Sequence, residues 1–187
     1  MEKGADLKWR TISSETLFND LWFTVRKEKC ATPSGKIIEP YYVYDFPTWV
    51  TAFALTTEGK VIMERQYRHG LGEVCVELPG GCVDDTDANL EAAISRELKE
   101  ETGYVFDKFT YLGKISANPS TNSNLMHMFL AEGGVDTGAK SLDPNEEIDI
   151  LLYSIDEVRV LLEQNKIMQS MHLSTIFYAC KKLGIQL

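Results

Sequence analysis

The sequence is poor in the features that mark metal-finger, secreted, membrane and nucleic-acid-binding proteins. Cys30, Cys75, Cys82 and Cys180 are its only cysteines, and none stands at C-x-x-C spacing. Neither a zinc site nor a disulfide framework is expected; free thiols in a reducing, cytoplasmic setting are. His69, His127 and His172 form no H-x-x-x-H pair. No apolar run approaches the ~20 residues of a membrane span, and the start, Met1-Glu2-Lys3-Gly4-Ala5-Asp6, is polar and unlike a signal peptide. Basic residues are outnumbered 28 to 19, for a net charge of −9. A general nucleic-acid or anionic-membrane surface is therefore not expected. An acidic enzyme can still handle an anionic substrate if bound cations screen it.

What the chain does have is enough apolar residue for a core, 44% over 187 residues, a length that fits one domain with a small appendage. Residues 7 to 45 read as three strands, Trp9 to Leu17, Leu21 to Ala31 and Lys36 to Tyr44, separated by Asn19-Asp20 and Pro33-Ser34-Gly35. Pro47 marks a boundary, so the expected division is 1–46 as a small antiparallel β-subdomain and 47–187 as the main domain. Three strands alone leave edges and a face uncovered, so the subdomain needs a partner, either the rest of the chain or a second copy.

In the main domain, strands are expected at Trp49 to Thr57, Lys60 to Tyr67, Val74 to Leu78, Phe109 to Ser116, Leu125 to Ala131 and Ile148 to Tyr153, with a glycine-bearing loop from Gly133 to Pro144. Ser154 with Glu157 forms a capping box opening a helix to about Gln164. A last helix runs from about Gln169 to Leu183 and stops at Gly184. Strands flanked by helices suggest an α/β domain with a mixed sheet covered on both sides.

The stretch from Gly80 to Tyr104 organises this domain. A glycine turn and an acidic loop lead into a helix that Asn89 caps and Gly103 ends. Glu97, Glu100 and Glu101 stand at i, i+3 and i+4, within roughly 100° of arc on an α-helix. Lys99 points elsewhere, so no cation is expected among them. Crowded carboxylates repel one another unless a hard cation such as Mg²⁺ takes their oxygens. The alternative is a solvated acidic face.

Arg96-Glu97-Leu98-Lys99-Glu100-Glu101-Thr102-Gly103-Tyr104 resembles the second half of the Nudix box, R-E-apolar-x-E-E-x-G-apolar, at every fixed position. The first half, G-x5-E-x7-R, departs: eight residues before Arg96 stands Ala88, and six further back Cys82. One extra loop residue brings Gly81 into register and puts Asp87 where the glutamate belongs. Elsewhere the chain resembles the ADP-ribose pyrophosphatase branch. Gln66-Tyr67-Arg68 is similar to its Q-Y-R, Val76-Glu77-Leu78-Pro79-Gly80-Gly81 to its E-L-P-A-G entry with Gly80 in place of alanine, and Pro119 lies fifteen residues after Tyr104.

The resemblance implies a Nudix-type α/β/α sandwich and hydrolysis of the pyrophosphate of ADP-ribose or a related nucleoside diphosphate sugar. Glu97, Glu100, Glu101 and the Gly80 carbonyl would hold Mg²⁺, with Mn²⁺ a possible substitute, so that Glu97 and Glu101 also count as catalytic. Arg68, Glu77 and Pro119 would meet substrate. Asn145-Glu146-Glu147-Ile148 resembles the segment carrying the general base; Glu146 is the expected base and Glu147 the reserve. By the same resemblance the N-terminal strands make a homodimer. Each piece has a plainer alternative: Arg68 as a surface cation, Glu77 as a paired structural acid, Glu146 and Glu147 as solvated loop acids. The alternatives for the whole chain are a Nudix enzyme acting on UDP-glucose, GDP-mannose or a dinucleoside polyphosphate, a ligand-binding module without turnover, and a structural acidic protein.

Overall fold

The computed structural model describes residues 6–142 and 144–186. The polar start, Met1 to Ala5, lies outside them. The chain forms two compact units: the residues up to Pro47 with Asn118–Asn124, and Thr48–Ala117 with the chain from Leu125 onward.

The first unit is an antiparallel sheet of β1 (Arg10–Asn19), β2 (Thr24–Ala31) and β3 (Ile37–Asp45), in that order. Asp20 makes the first turn by accepting from the Trp22 and Phe23 backbone N–H groups at 2.8 and 3.1 Å. Every residue of β1 is exposed. Glu28 of β2 is buried and accepts from Arg26, Thr11 and Ser14. Segment 118–124 joins this unit through the Tyr44 backbone, whose N–H donates to the Thr121 carbonyl at 2.8 Å.

The second unit is a mixed sheet of seven strands: β4 (Trp49–Thr56), β5 (Val61–Arg68), β6 (Glu73–Glu77), β7 (Tyr104–Val105), β8 (Lys108–Ile115), β9 (Met126–Asp136) and β10 (Ile148–Tyr153). β4 and β9 run parallel; the other pairs are antiparallel. Alternation along β4 and β5 sends side chains to two cores. Val50, Ala52, Ala54 and Ile62 meet Ala93, Ile94 and Leu98 on one face. Phe53, Val61 and Met63 meet Val158, Ile167, Ile176 and Ala179 on the other. Those partners belong to α1 (Leu90–Glu97) with the turn after it, and to α2 (Ile155–Glu163), α3 (Ser170–Leu183) and the chain between them. The sandwich implied by the resemblance is the one observed.

The sheet forks where the site lies. β5 pairs with β4 only at Val61 and Ile62, and from Glu64 onward its neighbour on that side is β6. β4 is met instead by the Pro79-Gly80-Gly81 turn, whose Pro79 and Gly81 carbonyls accept from Ala52 and Val50 N–H at 3.1 and 2.9 Å.

Two expectations are corrected. The helix after the acidic loop is α-helical only to Glu97; Leu98–Thr102 is a wider π-type turn, a form frequent at functional sites. Gly133 and Gly134 lie inside β9, not in a loop, because that strand runs on to Asp136 and bulges between its pairings with Ala54 and Thr56.

Candidate active site

The caps expected for the central helix are in place. Asn89 Oδ1 accepts from Ala92 N–H at 2.9 Å, and Gly103 ends the turn at φ 77°. Between them the wider turn divides the three acids. Glu101 is buried and accepts from the Gly80 N–H at 2.9 Å. The Glu97 carboxylate lies beside Gly81, whose missing Cβ would sit 2.6 Å from its Oε1. Glu100 is turned outward with 44% of its side chain exposed.

The expected absence of a cation among these acids is wrong. Arg96 Nη1 lies 3.1 Å from Glu97 Oε1 and 3.0 Å from Glu100 Oε2. The same guanidinium donates through Nε and Nη2 to Asp87 at 3.0 and 2.9 Å, and to the Cys82 carbonyl at 3.0 Å. Asp87 also accepts from Asp84 N–H at 2.8 Å, which closes the acidic loop. Arg96 is thus a brace between loop and helix, with Asp87 as its main partner. Its bidentate geometry is the strong form of such a pair. The Arg96 guanidinium holds the Asp87 carboxyl below the usual carboxylate range.

Behind Glu101 lies a residue that the sequence motifs do not single out. Glu64 of β5 is 1% exposed and lies close enough to Glu101 for the two acids to act on each other's pKa. Its cross-strand partner is Glu77. A glutamate following Val61-Ile62-Met63 on a buried strand was the available signal. Burial and the mutual repulsion of the acids raise the pKa of both Glu64 and Glu101. Burial likewise pushes Glu97 up to about 7, although Arg96 opposes the shift.

Arg68 and Glu77 are paired with each other: Arg68 Nε and Nη2 donate to Glu77 Oε2 at 2.8 and 2.6 Å. Glu77 is buried, while Arg68 keeps part of its side chain in solvent. Arg68 lines a cavity of about 420 Å³ with Trp49, Gly80, Gly81, Cys82 and His172.

Glu146 is half-buried and close enough to Glu97 and Glu101 for its charge to raise both their pKa values; Glu147 is exposed. The loop leading there is tied to the π-type turn by Ser141 N–H donating to the Glu100 carbonyl at 2.9 Å, and by Thr137 Oγ1 donating to the Gly103 carbonyl at 2.7 Å. Pro119 belongs to segment 118–124 of the other unit.

Among the described residues no three acids converge on one point as a bound ion requires; Arg96 and the Gly80 N–H hold Glu97, Glu100 and Glu101 in their present positions. The donor set nevertheless fits a hard divalent cation. It consists of carboxylates, the hard oxygen ligands such an ion takes, with Glu101 buried, and Glu64 Oε1 is buried with no hydrogen-bond partner.

Fold and site together define an α/β/α sandwich with a carboxylate-rich centre at a glycine turn. The chain belongs to the Nudix family, whose NUDIX domain model matches residues 46–172. That family works with a divalent metal. A model described as the nucleoside diphosphate sugar hydrolase N-terminal domain matches residues 9–44. The chain is 29% identical over 181 residues to the ADP-ribose pyrophosphatase of Bacillus subtilis (strain 168), covering 96% of this chain and 97% of that one. It is 27% identical to the methanol dehydrogenase activator of Bacillus methanolicus, covering 90% and 91%. A solved structure described as that of an ADP compounds hydrolase superposes with a TM-score of 0.79 over 95% of each chain at 23% identity, a likeness of fold.

Proposed function

We propose that this protein hydrolyses the pyrophosphate linkage of ADP-ribose or a related nucleoside diphosphate sugar in the cytoplasm, releasing AMP, or the matching nucleoside monophosphate, and a sugar phosphate. The observation that carries this is the buried carboxylate centre at the Gly80-Gly81 turn. The Bacillus subtilis relative and the match at residues 9–44 support the substrate class.

Glu97, Glu101 and the Gly80 carbonyl would hold Mg²⁺, or Mn²⁺ in its place, with Glu100 at the rim. The carbonyls either side of Gly80 are taken by β4, which favours Gly80 as the backbone donor. When bound, the ion neutralises the pyrophosphate and polarises its phosphorus. Arg68 offers a phosphate oxygen the guanidinium edge that now meets Glu77. Glu146 accepts a proton from the attacking water as the water oxygen adds to phosphorus. The bond from that phosphorus to the bridging oxygen breaks, and the leaving phosphate keeps the electron pair.

The test is a panel of ADP-ribose, UDP-glucose, GDP-mannose and a dinucleoside polyphosphate with purified protein and Mg²⁺, the products resolved by chromatography. ADP-ribose should give AMP and ribose 5-phosphate fastest; no turnover of any member would overturn the proposal. Glu146→Gln should lower kcat by about 10²–10⁴-fold with KM little changed, as loss of a base does. Glu147→Gln should be mild. If Glu147→Gln is instead the damaging change, the base assignment is off by one residue.

A further inference from the structure

Glu64 stands where β5 exchanges β4 for β6, facing the same core as Ile62 two residues earlier. A side chain that only packed there would be apolar. Burying a carboxyl with an unmatched oxygen is costly, and Glu64 Oε1 is such an atom, in a residue 1% exposed. Four charged groups face it: Arg68, Lys140, Glu77 and Glu101. Both cations are committed elsewhere, Arg68 to Glu77 and Lys140 Nζ to the Ile148 carbonyl. Glu77, the cross-strand partner of Glu64, leads into the Gly80 turn whose N–H holds the buried Glu101, so Glu64 stands next to an acid of the metal centre and interacts with it.

We propose that Glu64 is a further carboxylate of the divalent-cation site, contributing its Oε1 alongside Glu101. The inference rests on the metal-dependent reading given above. It assigns the ion a donor from the sheet, in addition to those from the helix and the glycine turn. The rival role is a protonated structural carboxyl that donates to Glu101 and touches no ion.

Mn²⁺ binding without substrate separates the two. Free Mn²⁺ would be followed by electron paramagnetic resonance during titration of wild type, Glu64→Gln, Glu101→Gln and, as a control, Asp149→Asn, whose carboxylate pairs with Arg65 at an exposed site. The proposal expects Glu64→Gln to weaken Mn²⁺ binding about tenfold or more, or to lose an ion per chain, with Asp149→Asn unchanged. It also expects metal-free Glu64→Gln to melt no lower than wild type while gaining less from added Mn²⁺. Unchanged Mn²⁺ affinity and stoichiometry in folded Glu64→Gln would overturn it. If Glu101→Gln still lost binding in that case, the metal reading itself would stand. Wild type that binds no Mn²⁺ would overturn both. Glu64→Val, apolar like its neighbours on the strand, gives the same readout should the glutamine variant fail to fold.

Discussion

Gly80 and Gly81 are adjacent, yet they meet different neighbours. A Cβ on Gly80 would lie 2.2 Å from the Val50 carbonyl oxygen and 2.6 Å from Thr51 Cα, and the residue's φ of 147° is one that L side chains rarely adopt. The three atoms nearest a Cβ on Gly81 would all belong to the Glu97 carboxylate, the far end of a flexible side chain. The two alanine variants should therefore fail differently. Gly80→Ala should be destabilised by about 1–3 kcal/mol or more, since backbone must move. Gly81→Ala should keep a near-normal melting temperature but lose activity, because Glu97 is displaced from the turn. Thermal melts with parallel turnover assays test both; equal stability of the two variants would contradict the close approach at Gly80.

At the scale of elements, a buried hydrogen bond ties α3 to the residue before the catalytic turn. His172 Nδ1 accepts from the Leu78 N–H at 3.1 Å, and burial lowers the His172 pKa to about 3. Only the neutral ring can accept, so the contact favours the deprotonated form. In the unfolded chain the ring protonates near the ordinary value of about 6.5. Between that value and about 3 the unfolded state binds more protons, so this contribution to stability is full above pH 6.5 and is lost as pH falls. His172→Asn keeps an acceptor at a similar place and cannot titrate. Its stability relative to wild type should rise steadily as pH drops from 6.5 toward 3, measured by denaturant unfolding at each pH. Comparison between the two proteins cancels the buried acids, whose raised pKa values push the opposite way. A constant difference across that range would rule out a titrating His172. The π-type turn matters at the same scale: it separates Glu100 from Glu97 and Glu101 and joins the loop of Glu146 to the acids through the Glu100 carbonyl.

At the scale of the whole molecule, the N-terminal sheet bears on assembly. β1 is exposed along all ten residues, and Trp9, Ile12, Leu17, Phe18, Leu21 and Trp22 carry large apolar surface into solvent. So many large apolar side chains exposed within one short segment point to an interaction site. We propose a second copy of this chain as the occupant, giving a homodimer through the N-terminal sheet. Light scattering at micromolar concentration should give about twice the chain mass of 21.1 kDa. The double variant Ile12→Asp with Leu17→Asp, placed at the two bulges of β1, should shift it to a single chain mass, with Glu15→Gln as a control. Wild type at 21.1 kDa, or an unaltered double variant, would count against this interface.

The family followed from the resemblance of residues 96–104 to the Nudix box. Local chemistry in the sequence was enough to determine the central helix as far as Glu97, its Asn89 and Gly103 caps, the capping box at Ser154 and most strands. These rest on contacts three or four residues apart or on period-two alternation, which neighbouring residues decide among themselves. Arg96 and Glu100 form an i,i+4 pair that the helix spacing already held. Tertiary structure decided the rest of what the acids face: the acidic loop folds back so that Asp87 becomes the main partner of Arg96. Glu64 joined them because β5 forks beneath the helix, Glu146 differs from Glu147 only by its place on a tethered loop, and Gly80 is constrained by a β4 carbonyl. Those relations depend on residues far apart in the chain meeting in a buried, weakly screened space, where burial and repulsion shift charge, and no spacing within the sequence encodes such a distance.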